Sequence, residues 1–501
     1  MRALVRTAAA ACSALALLAL AAPPSVAAPR PPVVLVVFDE FPTTSLIGRG
    51  GRIDARRYPY FAGLAAHSTW FRNATTVHDS TFVSVPAMLT GRIPRYVPGD
   101  GPRLPRTSLF TLLERRGYRV HGSEEGAKVC PVRLCGRRHS TRYYLVRSRL
   151  ARFSRFVNSI APARQPMLHF KHTLLPHVPW IYLPSGRQYF RGPFGPIRGI
   201  NSELGAKDPG LVHLAHQRHL LQVGAVDRAL GRLLNRLQAT GLWDRSLIVI
   251  TADHGVSFRL GEPDRRILTR GNVQDVAPVP LFVKLPGQRR GRVSQAYART
   301  ADLLPTITSV LRLRVPWRTR GRPLFSRAVA RRRTVRIGGR HPDRPVVKLS
   351  GGRFQARWRR AIAHQHRLFG VGNGAPGLFG IGPNRELLGR SVAGLRVGRR
   401  SSLQAEVLEG GELRNLRPGR RFTPAFVAGR VRGGRGRHDL AVAVNGRIAA
   451  VTRTFRLRRR HPESFACVVP EAALRPGANS VQVLLVGPRR QRPRIRLIGR
   501  L

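Results

Sequence analysis

Residues 33–38 read Val-Val-Leu-Val-Val-Phe, an unbroken apolar and mostly β-branched run that stops at Asp39-Glu40. No polar residue alternates within it, so both faces of such a strand are buried, as in the middle of a parallel sheet. The chain then keeps alternating. Ser108 to Arg116 is predicted as a helix closed by Gly117, and Tyr118-Arg119-Val120 as a strand. His216 to Thr240 is predicted as a long amphipathic helix, with Leu220, Leu221, Val223, Val226, Leu230 and Leu234 on one side and Gly241 closing it. Ser246 to Ile250 is a second buried strand that runs into Thr251-Ala252-Asp253-His254-Gly255, and Val279 to Lys284 is a third that stops at Pro286-Gly287. The fold class is α/β, with polar residues at strand ends, where open sheets of this kind bind their ligands.

A chain of 501 residues is long enough for two or three domains. Past residue 327 Arg-, Gly- and Pro-rich stretches become frequent, and 328–400 reads as a connecting segment. From 401 to 501 the pattern is short apolar runs: Leu440 to Val444, then Asn445-Gly446, then Ile448 to Thr454, and later Val481 to Val486. Asn-Gly between apolar runs signals a hairpin, and this part is expected to be a smaller, β-rich sandwich. At the other end, Arg2 and Arg6, the apolar run Ala8 to Ala22 and Ser25-Val26-Ala27 have the plan of a signal peptide over residues 1–28. The expectation is a secreted or cell-envelope protein, and no later segment is apolar for long enough to span a bilayer. In that setting Cys130 and Cys135 read as a local disulfide, and Cys467 as a buried apolar side chain.

The formal charge is +63, but lysine occurs only at positions 128, 171, 207, 284 and 348. The rest of the basic charge is arginine, spread along the chain without a stripe or a nucleic-acid motif. Dispersed arginine points to compositional bias and not to a specific nucleic-acid partner. Such a surface still attracts acidic glycans, phospholipid head groups and cell-wall polymers.

Three polar clusters sit at or after predicted strand ends: Asp39, Asp253-His254, and Thr81 within Asp79-Ser80-Thr81-Phe82-Val83-Ser84-Val85-Pro86. Two carboxylates, an imidazole and a hydroxyl form a mixed oxygen and nitrogen donor set suited to Zn, Mn or Ca. A divalent metal ion there would lower the proton affinity of the threonine hydroxyl and neutralise an ester oxyanion.

In this order the clusters resemble the sulfatase-like branch of the alkaline-phosphatase superfamily. Val33 to Glu40 resembles the family's first strand and metal-binding acid. Tyr58 to Ala65 with Phe71-Arg72-Asn73-Ala74, Gly224 to Gly255, Val279 to Val283, Asp302 to Ile307, and Pro316-Trp317 with Gly321 to Leu324 resemble further blocks, so the likeness runs through most of 33–327 and implies a domain over 29–327. It implies a mixed, mostly parallel sheet flanked by helices. Many sulfatases carry Cys or Ser in a Cys/Ser-x-Pro-Ser-Arg motif that matures to formylglycine, ten residues before the Gly of a Leu-Thr-Gly. Here that count from Gly91 falls on Thr81, and Ala87-Met88 stand in place of Ser-Arg. The run Thr81 to Pro86 is similar to the Thr-x-Val-Ser-Val-Pro of bacterial phosphoethanolamine transferases. Threonine cannot become formylglycine, so the resemblance implies a metal-activated Thr81 nucleophile, with Asp39, Thr81, Asp253 and His254 as ligands.

The resemblance also places His177 beside the substrate, as holder of the oxyanion or proton donor to the leaving oxygen, with His172 near it. Glu124-Glu125 stand where those sulfatases have a lysine, and Arg270 and Asn272 where the transferases have a further histidine. Arg270 is expected to clamp an anionic ester and Asn272 to donate a hydrogen bond to it. The implied function is an exported, metal-dependent hydrolase of sulfate or phosphate esters. A phospho-alcohol transferase acting on envelope glycan or lipid, and a non-catalytic binder of anionic polymers, are the alternatives.

Overall fold

The computed structural model describes residues 30–501 except 96–106, 128, 136–147, 191–194, 201–206, 263, 341–345, 399–400, 435 and 488–493, so the expected signal peptide lies outside the described residues. Pro31–Leu501 forms one compact unit. Its main sheet has seven strands: β1 (Val33–Asp39), β2 (Thr69–Phe71), β3 (Arg119–Glu124), β4 (Met167–Pro176), β5 (Leu247–Ala252), β6 (Leu281–Lys284) and β7 (Arg292–Ser294). Their order is β3-β4-β1-β5-β6-β2-β7. β1 runs parallel to both β4 and β5, and only β6 is antiparallel to its neighbours. Every residue of β1 is buried, as its apolar run requires. The α/β reading and the mostly parallel sheet are therefore what the structure shows.

The long helix spans Pro209–Ala239, starting seven residues before the expected His216. Asp208 caps it by accepting from the Gly210 and Leu211 amides, with Pro209 at the first turn. His213, His216 and Gln217 interrupt the apolar stripe there, and that interruption hid the first two turns in the sequence.

Residues 328–400 do more than connect. β8 (Thr334–Gly338) and β9 (Val346–Ser350) pair antiparallel, and a helix follows over Gly351–Phe369, capped by Ser350. This helix packs back on the segment that follows β1: Gln365 donates to the Thr44 carbonyl at 3.1 Å, and the His366 Nε2 lies 2.9 Å from the Ile47 carbonyl.

The C-terminal part forms two further sheets. One is β10 (Val397–Gly398), β17 (Ile495–Arg500), β16 (Val481–Val486), β13 (Asp439–Val444) and β14 (Arg447–Arg453), in that order. The other is β11 (Gln404–Val407), β12 (Phe426–Arg432) and β15 (Ser464–Val468). The Asn445-Gly446 hairpin is present, with both residues left-handed (φ 50° and 78°), as a two-residue turn of matching twist demands. Cys130 and Cys135 form a disulfide with Cα atoms 6.1 Å apart, and Cys467 is buried and free. Among the described residues no helix is long and apolar enough to cross a membrane.

Candidate active site

The register pairs Phe38 with Ala252, so Asp39 and Asp253 leave β1 and β5 side by side at the carboxyl edge of the sheet. Asp253 Oδ1 accepts from the His254 amide (2.6 Å) and the Glu40 amide (3.2 Å). Glu40 takes a left-handed conformation (φ 57°), which turns the chain sharply at the end of β1. Gly255 is packed so closely that a Cβ would lie 2.2 Å from the Asp275 carbonyl, so the Asp-His-Gly turn tolerates no side chain there.

Thr81 is the first residue of the helix Thr81–Thr90. Its hydroxyl donates to Asp253 Oδ2 at 2.5 Å and lies 3.3 Å from His254 Nε2. The His254 Nδ1 is 2.9 Å from the Gly255 carbonyl, which fixes Nδ1 as the N–H and leaves Nε2 to face Thr81. Ser84 is fully buried, donates to the His78 carbonyl (2.7 Å) and lies 2.9 Å from the Thr76 hydroxyl. It braces the loop and does not reach the acids. Gly91 ends the helix in a left-handed turn against Thr319.

The loop before Thr81 is held by Asp79. Its carboxylate accepts from the Leu268 amide (2.9 Å) and the Arg340 amide (3.0 Å), with His78 Nδ1 at 3.2 Å and Arg340 Nε at 3.5 Å. Burial alone would raise its proton affinity, but His78 and Arg340 outweigh burial and keep Asp79 ionised below the ordinary range.

The site has the donor chemistry of a metal centre. Ligand atoms of Asp39, His172 and Asp253 lie within 4.8 Å of one another, and a second such group is Asp39, Glu40 and His177. Asp39 Oδ1 and both ring nitrogens of His172 are buried without a hydrogen-bond partner. Burial pushes Asp39 well above the usual carboxylate range, and Asp253 adds to the shift. Burial likewise raises Asp253 to about 7 and lowers His172 to about 4. Two adjacent buried acids beside a neutral imidazole are short of positive charge, and a divalent cation corrects that deficit. His172, expected at the substrate, thus stands with Asp39 and Asp253 among the candidate ligands.

His177 Nε2 lies 3.2 Å from Glu40 Oε1, and its Nδ1 is 2.6 Å from the Val178 carbonyl. Arg149 is buried and donates to the His177 (2.6 Å) and Val178 (3.1 Å) carbonyls, fixing that turn. Glu40 receives Arg265 on both oxygens (2.7 and 3.1 Å), with Arg266 at 3.6 Å. Burial would raise the Glu40 carboxyl, but Arg265, His177 and Arg266 together hold it far below the usual range.

The expected contacts at 270–272 fall elsewhere. The Arg270 side chain is exposed, and its carbonyl accepts from Arg357. Asn272 is fully buried, with Oδ1 accepting from the Thr269 amide (2.8 Å) and Nδ2 donating to the Ile267 carbonyl (2.8 Å), so its amide shapes its own loop. After β3, where the family resemblance implies a lysine, Glu125 instead receives Lys171 from β4 at 2.7 Å.

The chain has relatives among known proteins. A model of the family described as Sulfatase matches residues 31–313, more than half of the chain. The chain belongs to the sulfatase family. Its relatives in sequence include the multifunctional alkaline phosphatase superfamily protein PehA of Trinickia caryophylli, 31% identical over 27% of this chain and 26% of that protein. They also include an N-acetylglucosamine-6-O-sulfatase of Bacteroides thetaiotaomicron, 29% identical over 30% of this chain and 23% of that one. The matched stretch thus spans about a quarter of each relative's length. Among solved structures, BT4656 in complex with D-glucosamine-2-N,6-O-disulfate superimposes with a TM-score of 0.50 at 15% identity, covering 64% of this chain and 87% of that one. The Bacteroides fragilis protein yidJ gives a TM-score of 0.50 at 14% identity, covering 68% of this chain and 92% of that one. These likenesses establish the sulfatase, alkaline-phosphatase-like fold.

Proposed function

We propose that this sulfatase-family protein is an exported, metal-dependent hydrolase of anionic sulfate or phosphate esters with Thr81 as its nucleophile. The observation that carries the reading is the Thr81 hydroxyl, 2.5 Å from Asp253 and 3.3 Å from His254 at the carboxyl edge of the sheet. Asp39, Asp253 and His254, joined by His172, would hold a divalent cation of the Zn, Mn or Ca type beside Thr81. When bound, such an ion supplies Lewis acidity, lowering the proton affinity of the hydroxyl and neutralising the ester oxygens.

The chain's own groups do the remainder. Asp253 and the helix start hold the Thr81 oxygen in place, while Asp79, Ser84 and Arg340 fix the loop behind it. His177 is held through Nδ1, which leaves Nε2 facing Glu40 on the open side of the site. An anionic ester at that nitrogen favours the imidazolium, which then donates to the oxyanion or the leaving oxygen. A covalent Thr81 ester forms as the alcohol leaves, and water resolves it.

A second reading is a transferase, in which another hydroxyl resolves the Thr81 ester. The Thr81 to Pro86 pattern favours it, as does a lipoteichoic acid synthase of Staphylococcus saprophyticus among the relatives, 26% identical over 32% of this chain. Metal analysis of the purified protein, followed by a panel of aryl sulfate, phosphomonoester and phosphodiester substrates with and without glycerol, tests both. Metal-dependent release from any of the three supports the first reading, and a glyceryl product the second. No turnover by the metal-loaded protein overturns both.

A further inference from the structure

A cavity of about 530 Å³ begins where the catalytic segments end. Pro42 and Thr44 follow Glu40 into its wall, and Val256 and Phe258 follow His254. Its opposite side is built by the helix Pro209–Ala239, through His213 and His216, and by the helix Gly351–Phe369, through Arg360 and His364. Arg259 completes a ring of two guanidinium groups and three imidazoles.

The charge in this cavity is one-sided. Its carboxylate, Asp275, is already taken up by Arg259 (2.5 Å), Gln274 (3.1 Å) and Ser257 (3.3 Å). Arg360 is exposed and, among the described residues, has no hydrogen bond or ion pair, and Arg259 is bonded through Nε alone. The three histidines do not close on an ion. Among the described residues, three or more donor atoms converge within 4.8 Å only at the catalytic cluster. Phe258 stacks on His216 with ring centroids 4.5 Å apart and gives the cavity an apolar wall. Unused N–H donors over an apolar wall, in a volume fit for a small ligand, are the chemistry of an anionic sugar unit.

We infer that this cavity is an accessory subsite that holds a second sulfate or phosphate group of a polyanionic glycan whose ester is presented to Thr81. The inference rests on the ester-hydrolase reading for what happens at Thr81, but the cavity's own content does not. Burial, with neighbouring positive groups, lowers the proton affinity of His213, His216 and His364. An anion among them relieves that opposition.

The test is calorimetric titration of the full chain carrying Thr81→Ala, so that ligand is bound and not turned over, at 0.15 M salt. The probes are a dextran sulfate tetrasaccharide and a phosphorylated dextran tetrasaccharide of equal charge. Arg360→Gln/His364→Gln removes two exposed pocket donors. Arg327→Gln/Arg331→Gln removes two exposed arginines of an unrelated surface and controls for the protein's general positive charge. The expected result is a tenfold or greater loss of affinity in the pocket variant and less than a twofold loss in the control, for at least one probe. The probe that shows it names the group. Equal losses in the two variants, or none in the pocket variant, overturn the subsite. A parallel assay of the same substitutions on an unaltered Thr81, with a single-ester aryl substrate, is expected to be unchanged. Absence of that turnover in the wild type would fault the hydrolase reading and leave the binding result standing.

Discussion

Lys171 and His172 are neighbours on β4, and each belongs to a different buried cluster of charge. Successive strand residues face opposite sides of a sheet, so the two clusters lie back to back. On one side Lys171 meets Glu125 at 2.7 Å and Ser123 at 3.1 Å, while Arg152 meets Glu125 at 3.0 Å. Those cations overcome burial and hold the Glu125 carboxyl down at about 2. On the other side His172, Asp39 and Asp253 face one another with orphaned atoms and raised carboxyls. The first cluster is complete within the protein, and the second has the unmet donors that the proposed cation would satisfy. Burial of charge is therefore not in itself a mark of function; a missing counter-charge is.

The largest effect is expected at Thr81. Thr81→Ala is expected to lower turnover at least about a thousandfold, because it removes the proposed nucleophile and leaves only binding and electrostatics. Metal content by atomic emission should stay near the wild-type value, since Asp39, His172, Asp253 and His254 persist. Near-wild-type turnover in this variant would show that the unpaired cluster does not act through the threonine.

Next in size is the self-paired cluster. Lys171→Met leaves Glu125 buried with one cation fewer and is expected to cost about 3–5 kcal/mol of stability in urea denaturation. Metal stoichiometry should not change. Because the folded Glu125 carboxyl is lowered, its contribution is present above about pH 4.3 and lost as pH falls toward about 2.

The other cluster has the opposite sign. In the chelated protein Asp39 and Asp253 are raised, so their contribution is present below about pH 3.9 and lost as pH rises, toward about 7 for Asp253. Asp39→Asn should therefore melt above the wild type in EDTA at pH 8 and match it near pH 4. With metal present the order reverses, because the variant has lost a ligand. Scanning calorimetry at the two pH values reads both outcomes, and a chelated wild type that melts above the variant at pH 8 would remove the contrast.

The smallest effect is expected at Ser84→Ala. It loses loop hydrogen bonds worth on the order of 1 kcal/mol and should leave turnover within about twofold.

Much of this arrangement is legible in the sequence because it is local. The apolar run of β1, the acid after it, the Asp-His-Gly after β5 and the count from Gly91 back to Thr81 each lie within one short segment. What escaped depends on distance and on composition. Arg340 reaches Asp79 across 261 positions and Arg265 reaches Glu40 across 225. In a chain with 88 basic residues, no single arginine stands out as a partner. The family resemblance puts His172 with His177 near the substrate, and only the fold shows that His172 lies with Asp39 and Asp253. Asn272 bonds within its own loop, and an amide that does so looks the same in a sequence as one that meets a ligand.

The contact between Arg340 and Asp79 bears on how this protein can be cut or recombined. The family likeness ends at residue 313, yet the Asp79 amide donates to the Gly338 carbonyl at the end of β8, and its carboxylate accepts from Arg340 as well as from Leu268. A fragment stopped at 327 would keep all seven strands of the main sheet and the Leu268 bond to Asp79 but lose the Gly338 and Arg340 part of the clamp on the threonine loop. The transplantable unit of this protein therefore extends beyond its main sheet, and a chimera that borrows that sheet has to carry the segment through the helix Gly351–Phe369 with it.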